Sequence, residues 1–163
     1  MIHRIAFLGP PGSGKGTQAQ RLAPVLGVPI IGPGTLYRKE IAAGTDLGKQ
    51  VAAVVQAGGM VPNAITNAII AERLRQPDCA DGFILDGYPR ELEQATALDA
   101  SAPPLTHAIL LTIDAEEAVR RLAERLICTC GKAFNRREIA VEHGDEARCD
   151  ASEPQASLAG APC

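Results

Sequence analysis

The chain has 163 residues, of which 46% are hydrophobic and 21% charged, and its formal net charge is −3. This length and composition are typical of a globular protein of about one domain with a sizeable core. Nucleic acid is not expected as a partner, because proteins that bind its phosphate backbone are basic. No membrane partner is expected either, since every apolar run falls well short of the roughly 20 residues of a spanning helix. The N-terminus shows no signal-peptide pattern, which predicts a cytoplasmic protein.

Short apolar runs alternate with amphipathic stretches up to residue 127, which is the pattern of βα units around a parallel sheet. An apolar stripe at Leu47, Val51, Val54 and Val55 predicts a helix, and another helix is predicted between Pro62 and Pro77. A last stripe runs from Ala115 to Leu126, and Asp114 with Glu117 forms a capping-box pattern at its start. Strands are predicted at 4–8, 28–31, 83–85 and 108–113.

The sequence changes character after residue 127. Four of the five cysteines lie there, and Leu158 is the only large aliphatic residue between 143 and 163. Such a segment can bury little apolar area, so an exposed loop or a zinc-ribbon-like insert is predicted. An odd, clustered set of cysteines favours metal binding or free thiols over disulfides.

A glycine-rich segment follows the first predicted strand and opens a helix, which is the context of a phosphate-binding P-loop. Its glycines allow backbone N–H groups to point at phosphate oxygens, and the helix N-terminus adds partial positive charge. Lys15 is expected to reach the terminal phosphates. The strict pattern has Ser or Thr directly after the lysine, whereas Gly16 intervenes here. The predicted ATP-binding residues are Gly12, Ser13, Gly14, Lys15, Gly16 and Thr17.

An acidic residue ends the predicted strand at 83–85. Asp86 would lie at the carboxyl edge of the sheet, where ligands bind in open α/β folds. A carboxylate there can hold a water on nucleotide-bound Mg²⁺, although a strand-terminal Asp alone is more often a turn or cap residue. Asp86 is therefore predicted to hold the magnesium that accompanies ATP.

Further motifs follow in order at 34–38, 47–49, 58–62 and 86–90, with Gln94 four residues on and then Arg121 and Arg125. Together with the P-loop they resemble the adenylate kinase family over residues 1 to about 134. The resemblance implies an α/β P-loop nucleotide kinase core with a parallel sheet flanked by helices. It places that core at 1–127, a helical flap over the acceptor nucleotide at about 32–62, and a partial lid at 128–163.

The resemblance implies transfer of the γ-phosphoryl of Mg-ATP to AMP, giving two ADP. Arg38 and Arg90 would hold the acceptor phosphate, since a planar guanidinium matches phosphate bidentately. Gln94 carries a donor and an acceptor on one amide, as reading an adenine edge requires. The implied AMP-binding residues are Pro33, Arg38, Gly59, Met60, Val61, Gly87, Tyr88, Pro89, Arg90 and Gln94.

Catalysis in this scheme depends on alignment and fixed positive charge, because the AMP phosphate is already ionised and needs no general base. Arg121 and Arg125 are four residues apart and are predicted to share one helical face, where they would stabilise the phosphoryl group in transfer. Arg125 would also contact ATP. The implied catalytic residues are Lys15, Asp86, Arg90, Arg121 and Arg125.

The acceptor site departs from the family pattern. Gly32-Pro33 stands where the family usually has Ser-Thr, and Thr35 where Asp is common. Proline offers no hydroxyl to AMP, so a kinase for UMP or CMP is an alternative, whereas Gln94 favours AMP. The expected partners are ATP, AMP and ADP, and the expected state is a monomer.

The last segment departs from the family more strongly. Zinc-bearing members carry two Cys-x-x-Cys pairs, whereas Cys128-Thr129-Cys130 is one residue tighter and Cys149 has no partner two or three residues on. The candidate Zn²⁺ ligands are Cys128, Cys130 and Cys149, with free thiols as the alternative. A fourth ligand would be Cys163, Asp150 or His143. The family's later helices and final strand have no counterpart here, so slow turnover, or a nucleotide-binding fragment, is a further expectation.

Overall fold

The computed structural model describes residues 2–127 and 133–135. One compact unit ends at Thr112 and a second begins at Ile113. The predicted boundary between a core at 1–127 and a lid at 128–163 stays a prediction.

The first unit alternates strands and helices, as the sequence predicts. Its first half contains β1 (His3–Leu8), α1 (Lys15–Leu26), β2 (Ile30–Ile31), α2 (Pro33–Ala42) and α3 (Asp46–Gln56). Its second half contains α4 (Asn63–Leu74), a 3₁₀ turn (Pro77–Cys79), β3 (Gly82–Asp86), α5 (Leu92–Ser101) and β4 (His107–Leu110).

The four strands of this unit form one parallel sheet in the order β2-β3-β1-β4. Ala6 and Leu85 belong to a buried cluster on one side, whereas Ile5, Phe7 and Ile84 belong to a second cluster that includes residues of α1. Because both faces are covered, the central strands are continuous apolar runs and not alternating ones. This arrangement confirms the predicted α/β core, with a parallel sheet flanked by helices.

Two strands are shorter than predicted. β2 begins at Ile30 and not at residue 28, because the Val28 N–H donates to Ala23 O at the end of α1 and Pro29 has no N–H. β4 ends at Leu110 and not at residue 113, because its partner β1 ends at Leu8, where the glycine loop begins. The helix predicted between Pro62 and Pro77 is confirmed as α4.

The second unit contains α6 (Ala115–Ala123) and an antiparallel pair of strands, β5 (Arg125–Ile127) and β6 (Ala133–Asn135). The prediction of one helix through Leu126 is wrong, because Arg125 and Leu126 pair with β6 instead. Arg121 and Arg125 therefore do not share a helical face. Strand pairing, which depends on residues eight to ten positions further on, overrides the local i, i+4 pattern here.

Asp114 is the N-cap of α6, as predicted, but the capping box does not form. The Asp114 side chain makes no capping hydrogen bond to the described helix, and the Glu117 carboxylate binds Arg120 and Arg121 instead. Two guanidinium partners offer charge-assisted hydrogen bonds, which are stronger than a bond to a backbone N–H.

Candidate active site

The loop between β1 and α1 wraps around a lysine ammonium group. Lys15 is the first residue of α1, and its Nζ donates to the carbonyl oxygens of Gly9 and Pro10, both at 2.8 Å. Gly9 has φ 133°, and a Cβ there would overlap the carbonyl oxygen of Leu111. Glycine is therefore required where the chain leaves β1. The result is a cationic group held against the first two residues of the loop.

Ser13 supplies a hydroxyl that points into the same loop. Its Oγ is buried and has no hydrogen-bond partner within the described part of the chain. A buried polar atom without a partner costs free energy unless a ligand or solvent satisfies it. An oxygen-rich anion in the loop would do so, and this chemistry fits the phosphates of a nucleotide.

Asp86 ends β3 next to β1 and lies against the first turn of α1. A Cβ on Gly16 would be 3.1 Å from Asp86 Oδ2, and one on Gly32 would be 3.0 Å from the Asp86 carbonyl oxygen. A side chain at residue 16 would therefore crowd the Asp86 carboxylate. A carboxylate beside the phosphate loop is the oxygen ligand that magnesium prefers, so the residues present fit Mg²⁺ bound with ATP.

Arg90 folds back over Gly87 toward the P-loop. Its Nε donates to the Gly87 carbonyl oxygen at 2.8 Å. The position that a Gly87 Cβ would occupy is 3.4 Å from Arg90 Nη2 and 4.0 Å from Lys15 Cε. Two basic side chains from different segments therefore approach one point at the carboxyl edge of the sheet, Arg90 through its guanidinium and Lys15 through its Cε, and basic groups near one site favour a polyanionic ligand.

The other predicted acceptor residues lie on the helices that follow β2. Arg38 is exposed on α2, and its Nη2 donates to Thr35 Oγ1 at 3.2 Å. Pro33 is buried as the first residue of α2. Gly59, Met60 and Val61 lie between α3 and α4, where Met60 is 81% exposed.

Gln94 lies in α5 and is only 6% exposed. Its Oε1 accepts from the Arg90 N–H at 2.8 Å, and its Nε2 donates to Asn63 Oδ1 at 2.9 Å. Sequence reasoning missed Asn63, although its place directly after Pro62 at a predicted helix start was a usable signal. The structure thus links Gln94 and Arg90 through a direct hydrogen bond.

Tyr88 supports this region from within the core. The residue is 1% exposed, and its hydroxyl donates to Asn67 Oδ1 at 2.8 Å and to the Gln94 carbonyl oxygen at 3.2 Å. Burial raises the pKa of Tyr88 above its usual value. The Tyr88 ring therefore positions the loop that carries Pro89 and Arg90, and the peptide bond before Pro89 is cis.

Arg121 and Arg125 belong to the second unit. Arg121 Nε donates to Glu117 Oε1 at 2.7 Å, and Arg120 binds the same carboxylate through Nε and Nη2. These hydrogen bonds, first from Arg120 and then from Arg121, lower the pKa of Glu117 from 4.5 to about 2.

We expect the Glu117 carboxyl to titrate with a midpoint near 2 when followed by carbon NMR of the folded protein. Because this pKa lies below the unfolded value of 4.5, the ion pairs stabilise the fold fully above about pH 4.5 and are lost as the pH falls through 2. Arg120→Gln should raise the midpoint more than Arg121→Gln. A wild-type midpoint at 4.5 would contradict the arrangement.

The proposed zinc ligands Cys128, Cys130 and Cys149 lie outside the described residues, as do His143, Asp150 and Cys163. Within residues 2–127 and 133–135, no group of three or more metal-ligating side chains occurs. No helix of the described ranges is long and apolar enough to cross a membrane.

The parallel sheet, the P-loop with Lys15 and the acid at the end of β3 define a P-loop nucleotide-binding protein. The sequence model of the protein family described as adenylate kinase matches residues 7–154 of this chain. The chain belongs to the adenylate kinase family, whose members transfer a phosphoryl group between ATP and AMP and use Mg²⁺ with ATP. This confirms the predicted family, reaction class and enzyme class.

Several curated relatives are named adenylate kinase. The chain is 46% identical over 151 residues to that of Fervidobacterium nodosum, which covers 90% of this chain and 68% of the relative. It is 46% identical over 136 residues to that of Thermosipho melanesiensis, and this match covers 80% of this chain and 64% of the relative. It is 45% identical over 152 residues to one from Rhizobium etli, and this match covers 90% of this chain and 70% of the relative. The chain thus spans about two thirds of the length of these relatives.

Proposed function

We propose that this chain itself transfers the γ-phosphoryl group of Mg-ATP to AMP and that the residues of its first unit bind both nucleotides. The observation that carries the proposal is the convergence of Lys15 and Arg90 within 4.0 Å of one point beside Gly87. Lys15 belongs to the ATP loop and Arg90 to the segment that resembles the family's AMP site. A phosphoryl group between the two nucleotides would lie between these cations.

In the proposed reaction, an AMP phosphate oxygen attacks the γ-phosphorus and the bond to the β-phosphate oxygen breaks, which releases two ADP. No proton transfer is required, because the attacking phosphate is ionised at neutral pH. Lys15 would exchange its two loop carbonyl partners for phosphate oxygens, and Ser13 Oγ would donate to one of them. Arg38 and Arg90 would orient the AMP phosphate, and such positioning is the main source of rate in phosphoryl transfer.

Asp86 is the proposed anchor for magnesium, through a coordinated water. Bound to the ATP phosphates, the ion supplies charge neutralisation as negative charge moves toward the β-phosphate. The support is the position of Asp86 Oδ2 beside Gly16, in the first turn of the helix that follows the phosphate loop. Arg121 and Arg125 remain proposed contacts of the phosphoryl group in transfer, because the family resemblance implies this role.

A second candidate function is phosphorylation of UMP or CMP. Pro33 favours it, because this buried residue presents neither a hydroxyl nor an N–H at the start of α2. Gln94 supports AMP more strongly, since its amide lies hydrogen-bonded to the backbone of the proposed phosphate-binding Arg90.

Three further assignments stay proposals. Zinc bound by Cys128, Cys130 and Cys149 rests on their spacing in the sequence alone. A cytoplasmic location is supported by the nucleotide substrates, which are small molecules of the cytoplasm, and the monomeric state rests on the family resemblance alone.

We expect AMP to be the preferred acceptor when turnover with ATP is measured against UMP, CMP and GMP. Gln94→Ala should reduce the preference for AMP by about tenfold while changing kcat less, because Gln94 contacts the base and not the phosphate. Gln76→Ala, an exposed glutamine outside the site, is the matched control and should behave as wild type. Faster turnover of CMP or UMP than of AMP would favour the second candidate, and ATP binding by calorimetry without any turnover would indicate a binding protein.

A further inference from the structure

We propose that Asn63 and Glu93 hold the Gln94 amide in one orientation and so set the preference of the acceptor site for a 6-aminopurine over a 6-oxopurine. The inference rests on the proposed function, in which Gln94 contacts the acceptor base. Asn63 and Glu93 are positioning residues in this scheme, since they act through Gln94.

The three side chains form one continuous hydrogen-bonded chain. Asn63 Nδ2 donates to Glu93 Oε2 at 2.7 Å, and Asn63 Oδ1 accepts from Gln94 Nε2 at 2.9 Å. Gln94 Oε1 then accepts from the Arg90 N–H at 2.8 Å. These hydrogen bonds join the start of α4, the first turn of α5 and the loop before α5.

The groups at the two ends of this series of hydrogen bonds fix the orientation of the two amides between them. A carboxylate only accepts hydrogen bonds and a backbone N–H only donates, whereas each amide between them can do either. Rotating the Gln94 amide by half a turn would set its NH₂ group against the Arg90 N–H and its oxygen against Asn63 Oδ1. Rotating Asn63 to relieve this would set its oxygen against the Glu93 carboxylate. Gln94 is 6% exposed, so water offers little compensation.

The fixed amide retains one N–H and one oxygen lone pair for a ligand. An adenine edge offers an amine donor beside a ring-nitrogen acceptor, which is the complementary pattern. A 6-oxopurine carries a carbonyl in place of that amine and would set its oxygen against Gln94 Oε1. Free rotation of the amide would weaken this discrimination, because the rotated form offers NH₂ to the carbonyl.

The test compares AMP with IMP, which differ only in the 6-substituent and in the proton that IMP carries on the neighbouring ring nitrogen. We expect Asn63→Ala to lower the ratio of kcat/KM for AMP over IMP by about fivefold to tenfold, the scale of one lost hydrogen bond to a buried group. The change should appear in KM for AMP, with KM for ATP unaltered. Asn63→Asp retains an acceptor for Gln94 Nε2 and should stay within about twofold of wild type, although it places two carboxylates together. Glu93→Ala should lie between these variants.

Glu72→Ala is the matched control, since Glu72 is an exposed carboxylate on α4 that pairs with Arg75. It should leave the ratio unchanged. The positioning inference is wrong if Asn63→Ala and Asn63→Asp lower the ratio equally. It is also wrong if neither Asn63 variant lowers the ratio while Gln94→Ala does. In both cases the proposed function stands. If Gln94→Ala also leaves the ratio unchanged, the proposed base contact itself fails. Calorimetric affinities for AMP and IMP measure the ground-state part of this preference without turnover, and equal wild-type affinities would overturn the inference.

Discussion

Lys15→Ala is expected to lower turnover by about 10²–10³-fold, the usual scale for loss of one electrostatic stabiliser at a reacting centre. The ammonium group lies 2.8 Å from two carbonyl oxygens of the loop in which the ATP phosphates would bind. Without it the loop offers the phosphates only backbone dipoles and the neutral Ser13 hydroxyl. ATP affinity measured by calorimetry should fall together with kcat.

The matched control for this change is Lys49→Ala, which removes a lysine that is 71% exposed and pairs with Asp46 on α3. Surface ion pairs contribute about 1 kcal/mol or less, so this variant should keep its ATP affinity. Melting temperatures of both variants separate loss of binding from loss of fold. Unchanged ATP affinity and rate in Lys15→Ala would refute the P-loop assignment.

Gly48→Ala is expected to destabilise the protein by roughly 2–4 kcal/mol, although alanine is the better helix former. Helix propensity alone predicts a gain of about 1 kcal/mol at this position of α3. A Cβ there, however, would overlap the carbonyl of Glu40 and lie 2.8 Å from Ile41 N, both in the backbone of α2. Backbone cannot rotate away as a side chain can, so α2 and α3 would have to separate.

Chemical denaturation measures this loss, and Gly44→Ala is its control. A Cβ on Gly44 would meet nothing within 4 Å, so only its positive φ of 65° carries a cost, about 1–2 kcal/mol. Because α2 carries Arg38, Gly48→Ala should also raise KM for AMP more than KM for ATP. Stabilisation of the protein by Gly48→Ala would contradict the observed packing of the two helices.

The phosphate loop and the acid at the end of β3 were predictable because both depend on local sequence. Glycines before Lys15, after an apolar strand, have few interpretations other than a phosphate loop, and in that company an acid at the end of a second apolar strand is expected beside the nucleotide. The role of Gly16 was not predictable. Only the structure shows that a Cβ at this position would lie 3.1 Å from Asp86 Oδ2 and would crowd that carboxylate.

The position of Arg125 shows where local pattern fails. An apolar repeat and a spacing of four predicted a helix, but a strand pairs Arg125 with Asn135. Backbone pairing between residues distant in sequence leaves no mark in a window of one or two helical turns. The Asp114 capping box failed for a related reason, since Glu117 has two arginines within reach on its own helix.

By itself the sequence determined the class of fold, the nucleotide loop and the family, because these depend on short motifs and on the order of apolar segments. Only the tertiary structure decided which side chains meet. Lys15 and Arg90 are 75 positions apart, yet they converge because parallel strands present their carboxyl ends at one edge. The hydrogen-bonded chain through Asn63, Glu93 and Gln94 likewise exists only because α4 and α5 pack together, and hydrogen bonds form only at a separation near 3 Å.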